Sequence, residues 1–256
     1  MKRSLSLLPL IAIGVLVGIF SGLFGVGGGT IMVPALMFYG LSQREASATS
    51  LAAMPLASLG GVISYAVAGN VDWAMGALII VGSITGAWVG ARLLHVISEK
   101  ALRWCFVAFL LVIIVQQFFQ LPTRTSHVEL TLLSGAGMIL LGFVAGVLAA
   151  LLGVGGGAIL VPGMASFFGA SDLVSRGTSL LAILPGAISG TISNVKARIV
   201  QLKTAAIIGI AALVVTPIGE IIAQWLTPQM NKWAFIIFLI FIIIRSIRAA
   251  LRAQQK

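Results

Sequence analysis

Charge is what this sequence most lacks. Of 256 residues only 9% are Asp, Glu, Lys or Arg, while 59% are hydrophobic and the mean hydropathy is +1.14. A domain in water carries about 25% charged residues, so a soluble globular protein is excluded. Acids are scarcer still, six against sixteen Lys and Arg, for a net charge of +10. In a soluble chain that excess would point to nucleic acid. Here the bases sit in short gaps between apolar runs, as in cytoplasmic loops facing anionic lipid, and a nucleic-acid partner is not expected. The single cysteine, Cys105, lies inside an apolar run. It excludes a disulfide framework and a cysteine metal cluster, and reads as a packing residue. The two histidines, His95 and His127, both stand outside the centres of apolar runs. With no His-Glu-x-x-His or Gly-x-Gly-Asp pattern either, an enzyme is not expected, nor a catalytic residue, a metal site or a cofactor.

What the chain has in plenty is apolar runs. They fall at about 6–24, 30–40, 46–68, 74–94 and 101–120, then 131–152, 158–169, 175–195, 204–225 and 232–248. Most reach the ~20 residues needed to cross the hydrocarbon core. The runs at 30–40 and 158–169 do not, since eleven helical residues rise only about 16 Å. Met1-Lys2-Arg3 before the first run mimics a signal peptide, but more apolar runs follow instead of a small-x-small cleavage pattern. It reads as the first membrane element. The expectation is an all-α polytopic membrane protein.

Glycine is the second abundance, at thirty residues. Gly25-Val26-Gly27-Gly28-Gly29 returns as Gly153-Val154-Gly155-Gly156-Gly157, followed each time by a short apolar run into Pro34 or Pro162. Each glycine costs a helix about 1 kcal/mol relative to Ala, so a repeated triple implies a use for the exposed backbone. The duplication extends further. Gly14, Gly18 and Leu23 match Gly142, Gly146 and Leu151 at an offset of 128. After a one-residue insertion, Thr49-Ser50-Leu51 matches Thr178-Ser179-Leu180, Gly61 matches Gly190, and Gly90 matches Gly219. Residues 1–121 and 131–256 read as two membrane repeats of one transmembrane domain, joined by a linker at 122–130.

The bases orient them. If each glycine segment and its short helix form a re-entrant hairpin, and three runs of each half cross, thirteen Lys and Arg lie inside and three (Arg124, Arg176 and Lys232) lie outside. Treating each glycine element as a single crossing makes the split ten to six. The positive-inside rule selects the first arrangement. Three net crossings per half invert the second repeat against the first, the architecture of many secondary transporters. Both termini are then cytoplasmic.

Glycines entering a short helix leave backbone N–H groups unpaired at its positive end, which suits a small oxyanion. The expected substrate-binding set is Gly27, Gly28, Gly29, Thr30, Thr49, Ser50, Gly155, Gly156, Gly157, Thr178, Ser179 and Asn194. The two prolines fall early in the short helices, where a missing N–H costs least. The hydroxyl pairs at Thr49 and Thr178 start helical runs, and the competing reading for them is close helix packing in lipid. The glycines fit neither the dinucleotide fingerprint nor a P-loop, for want of a βαβ context and a following lysine. Of the six acids, Glu45, Asp72, Glu99, Glu129 and Asp172 sit in loops or at their edges. Glu220 lies inside a run, where a carboxylate is costly; it reads either as a proton carrier or as a group reaching water from near the helix end.

The duplicated Gly-Val-Gly-Gly-Gly elements, with Ala-Thr-Ser-Leu and Gly-Thr-Ser-Leu downstream, resemble the TauE/SafE family of sulfite and organosulfonate exporters along essentially the whole chain. The resemblance implies an inner-membrane permease for sulfur oxyanions such as sulfite or sulfoacetate, with Gly27–Gly29 and Gly155–Gly157 close to the substrate path. The expected partners are a small anionic substrate and membrane lipid; a homo-oligomer is compatible. An uncoupled anion channel of the same architecture, or a permease for a different small anion, is the alternative.

Overall fold

A computed structural model describes residues 7–119, 123–125 and 128–252; His127 and part of the expected linker lie outside them. Ten helices follow one another: α1 (Leu7–Phe24), α2 (Gly29–Phe38), α3 (Gln43–Val67), α4 (Trp73–Val96), α5 (Glu99–Phe119), α6 (Leu132–Leu152), α7 (Gly157–Phe168), α8 (Asp172–Lys196), α9 (Leu202–Trp225) and α10 (Pro228–Arg252). Eight are long and apolar enough to cross a membrane, and α2 and α7 are the short ones. The protein is all-α and polytopic. Each boundary falls within a few residues of its apolar run, because in lipid only a helix satisfies its own backbone.

The helices start where polar caps stand. Ser42 closes a capping box with Glu45 at the head of α3, Asp72 caps α4, and Ser171 caps α8. Hence α3 and α8 begin well before Thr49 and Thr178. Those hydroxyls fall in the second turn and do not open the helices, as the sequence suggested. Pro34 and Pro162 do not fall early in their short helices, as the sequence suggested; each is the sixth residue. Past the first turn a proline removes a hydrogen bond, here to the carbonyls of Thr30 and Ala158.

Packing follows the small residues. Gly14, Gly18 and Gly22 of α1 meet Ile208, Ala212 and Thr216 of α9, so these helices run the same way. In the other half Gly82, Gly86 and Gly90 of α4 meet Ile139, Phe143 and Val147 of α6, again in parallel. A Cβ at Gly18 would stand 2.7 Å from the Ala212 carbonyl oxygen. The backbones touch because lipid offers no hydrophobic drive between helices, which leaves close van der Waals contact to hold them. At the centre α3 and α8 run antiparallel, with Gly61 against Leu180 and Gly190 against Leu51. The halves are therefore interleaved: α1 lies on α9 and α6 on α4, each across the repeat boundary. Helices α5 and α10 pair with each other, where Lys232 Nζ donates to the Phe118 carbonyl at 3.2 Å.

All five tryptophans are exposed. Trp73, Trp225 and Trp233 stand at one end of the bundle and Trp104 near the other, as membrane interfaces require. Cys105, expected as a packing residue, is exposed instead; its helix presents that face outward.

Candidate functional site at the glycine crossing

Between α1 and α2, Gly25, Gly27 and Gly28 have φ of 68°, 77° and 76°; between α6 and α7, Gly153, Gly155 and Gly156 have 71°, 94° and 78°. This is the left-handed region that residues with a Cβ enter only at a cost. The two segments cross side by side in opposite directions. Gly29 meets Gly153, Gly27 meets Gly155, and Gly157 meets Gly25. A Cβ at Gly155 would lie 2.8 Å from the Val26 carbonyl oxygen, and one at Gly27 3.9 Å from Gly155 Cα. Both segments are buried from end to end.

Each segment is held by the other half's central helix. Ser50 Oγ of α3 donates to the Gly153 carbonyl at 2.7 Å, and Ser179 Oγ of α8 donates to the Gly25 carbonyl at 2.9 Å. With their carbonyls engaged, the glycine segments lead into α2 and α7, whose N-caps Gly28 and Gly156 have no side chain to cap the first-turn amides. Those N–H groups and the helix dipoles make two positive ends at the crossing. Thr30 follows directly in α2 and is buried.

On one side a narrow cleft reaches Gly155 and Gly156 between α4, α6 and α8, lined also by Ser83, Ala145, Ala149 and Ala187. At the equivalent place in the first half, Val17 stands where Ala145 does, and its methyl presses on Gly28.

The other expected residues are placed elsewhere. Thr49 Oγ1 accepts from Gln201 N–H at 3.1 Å and Thr178 Oγ1 from Asp72 N–H at 2.9 Å, so these two hold the starts of α9 and α4. Asn194 lies near the far end of α8, fully buried, with neither amide atom hydrogen-bonded among the described residues. Glu220 is 3% exposed, which removes the reading of a group reaching water. Its carboxylate accepts from Ser64 Oγ at 2.8 Å and from the Gln224 amide.

A polar cluster at the end of α1 was not anticipated. Arg176, assigned to an outer loop by charge counting, is buried inside α8. It donates to the Leu23 carbonyl at 2.6 Å and pairs with buried Asp172 at 3.6 Å, while Arg124 reaches the same carboxylate at 3.5 Å. Tyr65, beside Arg176, donates to the Gly22 carbonyl at 2.7 Å. A cation on the last carbonyls of a helix satisfies both hydrogen bonding and the dipole. The sequence signal was Asp172 and Arg176 four apart, one turn of helix. A second, small cleft opens at this end, lined by Gln117, Asp172, Arg176, Asn231 and Lys232.

The family model for the sulfite exporter TauE/SafE matches residues 2–117 and 138–256. Among curated relatives, the probable membrane transporter protein YdhB of Bacillus subtilis is 27% identical over 221 residues, covering 85% of this chain and 89% of its own length. The probable membrane transporter protein YunE of the same organism is 26% identical over 214 residues, 74% of this chain and 78% of its own. A probable membrane transporter protein of Methanocaldococcus jannaschii, MJ0441, is 35% identical over 104 residues, 37% and 39% of the two chains. No solved structure matches. Two matched segments, one for each glycine crossing strand, place the chain in the TauE/SafE sulfite exporter family of membrane transporters.

Proposed function

We propose that this protein is a secondary transporter exporting a small sulfur-containing oxyanion, sulfite or an organosulfonate such as sulfoacetate, across the inner membrane. The anion is held at the glycine crossing by the amides of Gly27, Gly28 and Gly29 and of Gly155, Gly156 and Gly157, with the Thr30 hydroxyl as an added donor. Ser50 and Ser179 hold the segments in shape, and Thr49 and Thr178 fix the helices around them. The carrying observation is the antiparallel glycine crossing, which brings two uncapped helix N-termini together in a buried place with a cleft on one side. The sulfur chemistry rests on the family name.

The mechanism is alternating access between residues 1–121 and 131–256 as inverted repeats. The antiparallel packing of the equivalent helices α3 and α8, with Gly61 against Leu180 and Gly190 against Leu51, supports this inversion. The cleft lies on the Ala145 side, where the first half carries the bulkier Val17 against Gly28, and this asymmetry supports one half being open while its counterpart is closed. Glu220 is the proton carrier.

The test is flux of sulfite and sulfoacetate in proteoliposomes, with and without a pH gradient. Ala145→Val copies the first half's residue and fills the cleft. Gradient-dependent flux that falls at least tenfold in this variant, at unchanged thermal stability, is the expected result. Flux indifferent to the gradient would mean an uncoupled channel. Undiminished flux in Ala145→Val would remove the anion from this cleft, and flux of neither sulfur anion would mean a permease for a different one.

A further inference from the structure

The pseudo-equivalent of the Arg176 cluster lies at the end of α6, and it lacks its cation. Tyr65 stands beside Arg176, and the α3–α8 register that pairs Gly61 with Leu180 and Leu51 with Gly190 sets Asn194 opposite Ser47 at the other end. The backbone confirms the level: a Cβ at Gly25 would lie 2.7 Å from Arg176 Cα, and one at Gly153 2.5 Å from Ser47 Cα. Thus Arg176 and Asp172 of one site become Ser47 and Gln43 of the other, and Tyr65 becomes Asn194. Gln43 Nε2 donates to Ser47 Oγ at 3.4 Å, a neutral copy of the ion pair.

The exchange removes a guanidinium and a phenol ring. At the first site those groups satisfy the Leu23 and Gly22 carbonyls. At the second, the carbonyls of Ala150, Leu151 and Leu152 close α6 and have no helical donor, and they form the negative end of that helix. Asn194 follows Gly190 by one turn of α8, and Gly190 packs beside Ala150, which brings Asn194 to the level of this helix end. Both atoms of its buried amide are without a partner among the described residues. An unsatisfied buried amide is costly and calls for a ligand.

We infer that the C-terminal end of α6 binds a monovalent cation, coordinated by Asn194 Oδ1, Ser47 Oγ and the terminal carbonyls, in the place that the Arg176 guanidinium fills in the other half. The donors are neutral oxygens, which suit a monovalent ion; a divalent one takes carboxylates. Half-helix C-terminal ends hold sodium in this way in transporters with broken helices. An anion is disfavoured by the dipole and the carbonyls. This inference is independent of which anion the glycine crossing binds.

Sodium is the probe. Binding of ²²Na⁺ to the purified full chain in detergent, and its thermal stability in NaCl against choline chloride at equal ionic strength, require no transport assay. The expected result is saturable binding and a Tm several degrees higher in NaCl. Asn194→Ala should weaken binding at least tenfold. The triple variant Gln43→Asp/Ser47→Arg/Asn194→Tyr, which transplants the other site's side chains, should abolish the sodium response while keeping the Tm in choline. Absence of ²²Na⁺ binding to the unmodified protein overturns the inference, as does binding that survives Asn194→Ala. If Asn194→Ala weakens sulfite binding and leaves sodium binding unchanged, the amide faces an anion and the inference is wrong.

Discussion

At the scale of single residues, the buried charges carry the sharpest consequences. Arg176 sits 6% exposed against Asp172 at 5%. Removing one partner of such a pair leaves a buried charge, at a cost of about 3–5 kcal/mol. Arg176→Gln should therefore lower stability to denaturant by an amount in that range, toward its lower end because Arg124 also reaches Asp172. The double variant Arg176→Met/Asp172→Leu should recover most of it, and a loss as large in the double as in the single would show that the Leu23 carbonyl bond matters more than the charge. Glu220 answers to a different assay. Glu220→Gln keeps the bond from Ser64 Oγ and removes the titrating proton. Flux should persist and lose its dependence on the pH gradient; an unchanged dependence would put the proton elsewhere. Sequence singled out Glu220 by its place in an apolar run, yet passed over Arg176, because counting charges toward loops cannot tell a loop arginine from one whose helix starts a turn earlier at Ser171.

At the scale of elements, glycines divide into those that admit a backbone and those that merely turn a corner. A Cβ at Gly86 of α4 would strike the Phe143 carbonyl of α6, whereas nothing lies within 4 Å of one at Gly40. Gly86→Ala must push two helices apart, and overpacking costs about 1–3 kcal/mol or more. Gly40→Ala faces only its φ of 95°, about 1–2 kcal/mol. Thermal unfolding in detergent should rank Gly86→Ala well below Gly40→Ala, and the reverse order would show that α4 and α6 tolerate separation. The short helices were legible as runs too short to span, but the cost of their prolines was not, because it depends on where the glycine segment hands over to helix.

At the scale of the whole molecule, the prediction is topological. With Cys105 replaced, a single cysteine at Ser98 and one at Thr125 should react with a membrane-impermeant thiol reagent from opposite faces, Ser98 from the cytoplasm. Labelling of both from the same face would end the inverted-repeat proposal. The sequence by itself determined the class, the ten helical runs and the duplication, since hydropathy over ~20 residues and a glycine repeat are local properties that the bilayer reads directly. Only the tertiary structure decided that the two glycine segments run past each other in opposite directions, that Ser50 and Ser179 reach across to hold them, and that Thr49 and Asn194 lie elsewhere. These are contacts between residues more than a hundred positions apart. They are set by which small residues let which backbones touch, and no window along one chain contains that choice.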